Sequence, residues 1–95
     1  MRRSGRIIVR GIVQGVGFRP FVYARAHEYG ITGQVKNLGS EVEIYANGNR
    51  FEEFLASIKT GPPNARIDYV SVTPWEGPYP ENFLILPSSP GTLSG

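Results

Sequence analysis

Two strand-like segments of this chain, residues 33–38 and 41–46, are separated by only Gly39 and Ser40. In the second segment, apolar and polar side chains alternate with the period of a β-strand. A two-residue Gly-Ser connection is typical of a tight hairpin turn, which makes the two strands antiparallel neighbours. Any fold that we predict for the chain is therefore built around this central hairpin.

A helix-like segment lies on each side of the hairpin. The first begins near Pro20, which suits the first turn of a helix, and is expected to end at Gly30. The second has apolar side chains spaced at i, i+3, i+4 and i+7 over residues 51–58, and the Gly-Pro-Pro sequence at 61–63 ends it. The apolar side of the first helix is predicted to consist of Phe21, Val22, Ala24, Ala26 and Tyr29.

Further strand-like segments precede the first helix and follow the second, at residues 6–13, 65–75 and 83–86. The order is therefore β-α-β-β-α-β with a short C-terminal strand. This order predicts an α+β fold of the ferredoxin-like type, in which an antiparallel sheet has two helices on one face. Within it, Tyr69 and Trp75 are predicted to pack in the core.

The length of 95 residues suits one domain with one core. We assign residues 6–87 to that domain and expect residues 1–5 to be a disordered basic tail. Residues 88–95, rich in Ser, Pro and Gly, are interpreted as the start of a linker to further domains. The apolar runs are too short to span a membrane, and Arg10 interrupts the N-terminal one, so we expect a cytoplasmic protein that does not act at a membrane.

The composition restricts the chemistry. The chain has no cysteine and one histidine, His27, so disulfides, thiolate metal sites and histidine clusters are excluded, and we expect neither metal nor cofactor. Residues 1–36 hold seven of the ten Lys and Arg residues and one acid, whereas residues 37–95 hold three bases and seven acids. This asymmetry favours an anionic ligand bound by the first third of the chain. No strand carries the aromatic pair and basic surroundings typical of an RNA-binding sheet, so no nucleic acid is expected.

The segment at residues 13–20, Val-Gln-Gly-Val-Gly-Phe-Arg-Pro, leads into the first helix without a Ser, Thr, Asp or Asn to cap it. A helix start has unpaired N–H groups and partial positive charge, and Gly15 and Gly17 allow close approach of the backbone. Arg19 adds donors that match the oxygens of a phosphate. The segment indicates a phosphate-binding loop, although the residues alone leave open a glycine-rich turn whose arginine makes a surface salt bridge.

Asn37 lies near the end of the second strand, where its amide could face this loop. Spacing alone favours another interpretation, a hairpin-turn asparagine bonded to its own backbone. His27 is interpreted as a surface or half-buried residue, because no acid or nucleophile is spaced to orient it as a general base.

Residues 11–19 read Gly-Ile-Val-Gln-Gly-Val-Gly-Phe-Arg and resemble the signature of acylphosphatases, Gly-x-Val-Gln-Gly-Val-x-Phe-Arg. A second signature of that family, Gly-aromatic-x-x-Asn with a glycine four positions on, is met only in part. Gly33 and Asn37 match it, but Gln34 and Glu41 stand where the aromatic residue and the glycine would be.

A narrower resemblance covers roughly residues 6–93. Gly17, Pro20 and the Pro-Pro-Asn-Ala-Arg-Ile-Asp run at 62–68 are similar to the N-terminal acylphosphatase-like domain of the hydrogenase maturation carbamoyltransferases, the HypF family. That resemblance implies that downstream zinc-binding and carbamoyl-transfer domains follow in the same protein. It also implies a carbamoyl-accepting hydrogenase maturation protein as partner.

The resemblance further implies the roles of individual residues. Asn37 would position the attacking water, and the substrate would be carbamoyl phosphate, an acyl phosphate, hydrolysed to phosphate and carbamate. Glu41 would repel this anion if its side chain faced the site. Two alternatives stay open, a free-standing general acylphosphatase and a non-catalytic ferredoxin-like module that binds an anion or a partner. The residues implied to bind the phosphoryl group are Gly15, Val16, Gly17, Phe18 and Arg19.

Overall fold

The structure of the chain is a computed structural model that describes residues 3–88. It confirms the predicted order of elements, and most of the linker predicted at 88–95 lies outside the described residues. In chain order the elements are β1 (Arg3–Ile12), α1 (Phe18–Tyr29), β2 (Thr32–Leu38), β3 (Glu41–Gly48), α2 (Phe51–Thr60), β4 (Arg66–Thr73) and β5 (Phe83–Ile85).

The five strands form one sheet in the order β4-β1-β3-β2-β5. The pairs β1 with β3, β1 with β4 and β2 with β3 are antiparallel, as the ferredoxin-like fold requires. β5 is the exception, because it runs parallel to β2 at the edge of the sheet. The chain reaches it from β4, at the opposite edge, by a crossover at residues 74–82.

The core lies between the inner face of the sheet and the two helices. α2 buries the apolar side predicted for it, Phe51, Phe54, Leu55 and Ile58. α1 buries a narrower stripe, Phe18, Val22 and Ala26, while Ala24 is exposed, so the predicted apolar side was wrong at that position. The reason is geometric, because residues 22 and 26 are one turn apart and residue 24 points to the other side of the helix.

The prediction of a disordered tail was wrong for residues 3–5, which belong to β1 and pair with β3. Gly5 is buried opposite Ala46, and a Cβ added to it would lie 3.3 Å from the ring of Phe51. Strand pairing uses backbone hydrogen bonds and needs no apolar side chain. The polar composition of this segment therefore gave no indication that it belongs to the sheet.

Tyr69 and Trp75 are not in the core, contrary to the prediction. Tyr69 is 49% exposed on the outer face, where the guanidinium of Arg10 lies 5.1 Å from its ring. A bulge opposite Arg10 shifts the register of β4, so Val70 rather than Tyr69 faces the core. Trp75 lies in the crossover, 39% exposed, and contacts the ring of Tyr45.

α1 ends at Gly30, whose left-handed backbone (φ 65°, ψ 38°) is one that side chains with a Cβ rarely adopt. We expect Gly30→Ala to lower the free energy of unfolding by about 1 kcal/mol. Gly30→Asn should lower it less, because asparagine tolerates this conformation better than alanine. Urea denaturation of the three proteins measures the difference, and equal losses for Ala and Asn would contradict the explanation.

Candidate active site

The C-terminal ends of β1 and β2 lie at the same end of the sheet. Both strands pair antiparallel with β3, which lies between them, so they run in the same direction. The loop at residues 13–17 leaves the end of β1, and Asn37 is the last residue but one of β2. The topology therefore brings together two parts of the chain that the sequence separates by about 20 residues.

A cavity of about 220 Å³, which we call the loop pocket, lies at this end of the sheet. It brings together most of the predicted site residues, including Arg19 and Asn37. Val16 is the exception, because its side chain packs against the core and does not line the pocket. The lining consists of Val13, Gln14, Gly15, Gly17, Phe18, Arg19, Pro20 and Asn37.

The start of α1 has no side-chain cap. Gly17 is the N-cap residue in a left-handed conformation (φ 78°), and no side chain of the first turn is acidic. The backbone bond at this end of the helix is donated by the N–H of Phe21 to the carbonyl of Gly17 at 3.1 Å. The N–H groups of Phe18 and Arg19 precede it and have no acceptor within the helix, so they present positive charge to the loop pocket.

The side chain of Arg19 is held at the end of β5. Its Nη1 donates to the carbonyl of Leu86 at 3.4 Å, and the N–H of Leu86 donates to the carbonyl of Val35 at 2.9 Å. The last strand and β2 thus orient the guanidinium at the pocket, where its remaining donors suit an anion.

Asn37 lies on the inner face of β2, opposite Val42. Its Oδ1 is buried and has no hydrogen-bond partner among the described residues, unlike the self-bonded asparagine that spacing alone favoured. A buried unpaired oxygen costs about 1–3 kcal/mol, so in a native protein it calls for an explanation, such as a catalytic role or a bound water. Asn37 also lines the loop pocket, so this unpaired amide oxygen belongs to a residue of the site.

Gln14 is a structural part of the pocket whose hydrogen-bond partners the sequence does not reveal. Its Nε2 donates to the carbonyls of Gly39 and Glu41, at 2.7 Å and 2.9 Å. These bonds tie the loop to the hairpin turn next to Asn37. Because both acceptors are backbone groups, the sequence marks Gln14 only as a long polar side chain in the loop and as a match to the acylphosphatase signature.

Glu41, which would repel an anion if it faced the site, does not line the loop pocket. Its carboxylate forms an ion pair with Arg10. His27 does not line the pocket either, and its ring lies 4.5 Å from that of Tyr23. The site can therefore act on an anion without a carboxylate or an imidazole in its lining.

Within residues 3–88, the structure has no group of three or more His, Cys, Asp or Glu side chains that could hold a metal ion. None of the helices in this part of the chain is long and apolar enough to cross a membrane.

Comparison with known proteins agrees with this architecture. The profile of the family described as Acylphosphatase matches residues 5–85. The acylphosphatase of Caldivirga maquilingensis is 50% identical over 76 residues, which are 76% of this chain and 80% of that protein. The crystal structure of acylphosphatase from Bacillus subtilis aligns with a TM-score of 0.82 at 38% identity, over 90% of this chain and 99% of that one.

A resemblance to HypF also appears in the structural comparison. Full-length HypF, in its phosphate- and nucleotide-bound form, aligns with a TM-score of 0.85 at 37% identity. The match covers 93% of this chain but only 12% of HypF. The chain thus spans most of the length of the acylphosphatases and a small part of the carbamoyltransferase.

Proposed function

This chain belongs to the acylphosphatase family, and we propose that its loop pocket is the active site, in which Arg19 and the loop hold the phosphoryl group and Asn37 holds water. The family makes it a hydrolase and supports the hydrolysis of acyl phosphates. One observation carries the proposed site. Asn37, whose buried Oδ1 has no partner among the described residues, lines the same small pocket as the uncapped start of α1 and Arg19.

The phosphoryl group lies at the start of α1. Its oxygens accept hydrogen bonds from the N–H groups of the loop, and the guanidinium of Arg19 neutralises the charge that remains. In phosphoryl transfer this charge is spread over the equatorial oxygens of the transition state. Donors that are already in place therefore stabilise the transition state without reorganisation.

Asn37 aligns the nucleophile. A water that donates one proton to its Oδ1 has its lone pairs directed towards phosphorus. The water oxygen forms the new P–O bond as the bond from phosphorus to the acyl oxygen breaks. The acyl group leaves with the electron pair as a carboxylate, and the proton of the water passes to the phosphate product or to solvent. Because a carboxylate is a weak base, its departure needs no general acid.

The substrate class that we propose is acyl phosphates in general. The match to the acylphosphatase from Bacillus subtilis, over 99% of that protein's length, supports this candidate. A second candidate is carbamoyl phosphate, within a larger carbamoyltransferase that acts in hydrogenase maturation. The similarity to HypF at 37% identity favours it, and downstream domains and a carbamoyl-accepting partner belong to this candidate alone.

A comparison of three substrates distinguishes the two candidates. Phosphate release by the chain is measured with acetyl phosphate, benzoyl phosphate and carbamoyl phosphate under the same conditions. A general acylphosphatase should have kcat/KM values for the three within about two orders of magnitude. A preference for carbamoyl phosphate well beyond that would favour the second candidate, and release no faster than in an Arg19→Ala variant would contradict the proposed site.

Gln14 should affect turnover through the position of the loop. We expect Gln14→Ala to lower kcat/KM for acetyl phosphate by about threefold to tenfold, because two hydrogen bonds that fix the loop against the hairpin are lost. Gln34→Ala is a suitable control, because Gln34 does not line the loop pocket. An equal loss in both variants would show that the effect is not specific to the loop.

A further inference from the structure

A second cavity, which we call the outer cavity, lies on the face of the sheet opposite the helices. Its volume is about 250 Å³, and it shares no lining residue with the loop pocket. Pockets for drug-sized ligands have volumes of about 300–1,000 Å³, so the outer cavity suits a smaller molecule. β2, β3 and the crossover all contribute to the lining, which consists of Gln34, Lys36, Glu43, Tyr45, Trp75, Pro78 and Pro80.

The two charges in this lining balance each other. Glu43 is only 5% exposed, and Nζ of Lys36 lies 3.8 Å from its Oε1. Arg6 does not line the cavity, but it donates to Oε2 of Glu43 at 2.7 Å. Glu76 and Glu81 of the crossover are exposed and do not line the cavity either. A charged ligand would therefore lose its hydration without meeting an unpaired opposite charge, so the lining favours a neutral ligand.

Two aromatic rings give the cavity a flat apolar surface. The ring centroids of Trp75 and Tyr45 lie 5.1 Å apart, and the rings are tilted by 59°. Trp75 remains 39% exposed, and Pro78 and Pro80 add further apolar surface from the crossover. An exposed tryptophan beside prolines offers a large contact area to a planar ring at little cost in side-chain entropy.

Gln34 is the uncharged polar residue of the lining that can orient such a ring. Its backbone pairs with β3 and β5, and among residues 3–88 its side-chain amide has no hydrogen-bond partner. A primary amide has an N–H donor and a carbonyl acceptor side by side. A second amide can satisfy both groups at once, because its own acceptor and donor have the same spacing.

We propose that the outer cavity binds a small neutral aromatic carboxamide. Its ring packs against Trp75 and the prolines, and its amide exchanges two hydrogen bonds with the amide of Gln34. The ligand carries no charge, because the charges of the lining already have partners. The outer cavity lies on the other face of the sheet from the loop pocket, so the proposal does not depend on the proposed catalytic function.

Intrinsic fluorescence tests the preference for a neutral ligand, because Trp75 is the only tryptophan of the chain. The full chain is titrated with benzamide, benzoate and benzamidinium, three probes of similar shape that are neutral, anionic and cationic. We expect benzamide to change the emission saturably and to bind at least about tenfold more tightly than the other two. Equal binding of either charged probe, or no saturable change with benzamide at millimolar concentrations, would overturn the proposal.

Methyl benzoate tests the role of Gln34, since it is neutral and planar but has no N–H donor. It should bind about threefold to tenfold more weakly than benzamide. In Gln34→Met, which keeps the length of the side chain without its amide, the two probes should bind within about twofold of each other. A folded Gln34→Met variant that retains the full preference for benzamide would refute the proposed pairing of amides.

The outer cavity is distinguished from the loop pocket by Arg19→Ala and by inorganic phosphate. The variant should bind benzamide as the unmodified chain does, and phosphate should not compete with benzamide. Loss of the benzamide response in Arg19→Ala, or competition by phosphate, would place the ligand in the loop pocket and contradict the proposal.

Chemical-shift mapping keeps the test decisive if Gln34→Met does not fold. In the unmodified chain, benzamide should shift the side-chain amide signals of Gln34 and the backbone amide signals of Tyr45 and Trp75. It should leave the backbone signals of residues 14–19 unchanged. The reverse pattern would exclude the outer cavity as the binding site.

Discussion

Replacing Arg19 by alanine should lower kcat/KM for an acyl phosphate by about a thousandfold. The guanidinium is the only cationic side chain among the residues that line the loop pocket, so its loss leaves the phosphoryl charge to backbone donors alone. Binding should suffer together with turnover, because phosphate itself carries the charge that Arg19 is proposed to neutralise. Phosphate release from acetyl phosphate and calorimetric titration with inorganic phosphate measure the two effects.

A matched control for this variant is Arg66→Ala. The Arg66 side chain is 73% exposed and pairs with Asp68 on β4, so its removal should leave kcat/KM within about twofold of the unmodified chain. Arg19→Lys should recover only part of the activity, since an ammonium group cannot reproduce the planar fork of a guanidinium. Tight phosphate binding by a folded Arg19→Ala variant would refute the assigned role.

Asn37→Ala should have a different signature, a fall in kcat of about a hundredfold with phosphate binding largely retained. In the proposed mechanism, the amide positions water in the transition state and does not hold the phosphoryl group. The variant should also be at least as stable as the unmodified chain, because the substitution removes a buried oxygen that has no partner in the described structure. Steady-state kinetics measure the loss of activity, and urea denaturation measures the change in stability.

Asn64→Ala serves as the control for Asn37→Ala, since Asn64 is an exposed turn residue outside the loop pocket. A rise in KM with unchanged kcat would show that Asn37 binds substrate rather than positions water. A marked loss of stability would show that its amide has a structural role.

Much of the fold follows from local signals in the sequence. The Gly-Ser turn at 39–40, the i, i+3, i+4, i+7 spacing of α2 and the glycine at the end of α1 each determine structure within a few residues of themselves. The fifth strand is harder, because a segment of three residues carries no periodicity, and its parallel pairing with β2 depends on a crossover over the whole width of the sheet. Tyr69 was misplaced because a bulge changes the register without a mark in the amino-acid pattern.

The sequence predicted the part of the candidate site whose hydrogen-bond donors lie close together along the chain. The loop and Arg19 are close in sequence, so an anion site follows from glycine, helix start and charge. Asn37 could not be assigned in this way, because an asparagine suits a hairpin turn as well as a binding pocket. Only the resemblance to the acylphosphatase family favoured a place in the pocket. The side chains of Gln14 and Arg19 donate to backbone carbonyls of distant segments. Every residue has a backbone carbonyl, so the sequence cannot indicate which of them will be the acceptor.

The hydrogen bond from Arg19 to the carbonyl of Leu86 also limits when the candidate site can form during synthesis. The two residues are 67 positions apart, so a nascent chain has produced the loop, α1 and Asn37 long before the group that orients the arginine exists. The docking of β5 is therefore the last step in the assembly of this sheet that translation permits. We therefore expect a ribosome-bound chain halted before residue 83 to lack hydrolytic activity even where its first strands are paired, so that activity reports completion of the sheet.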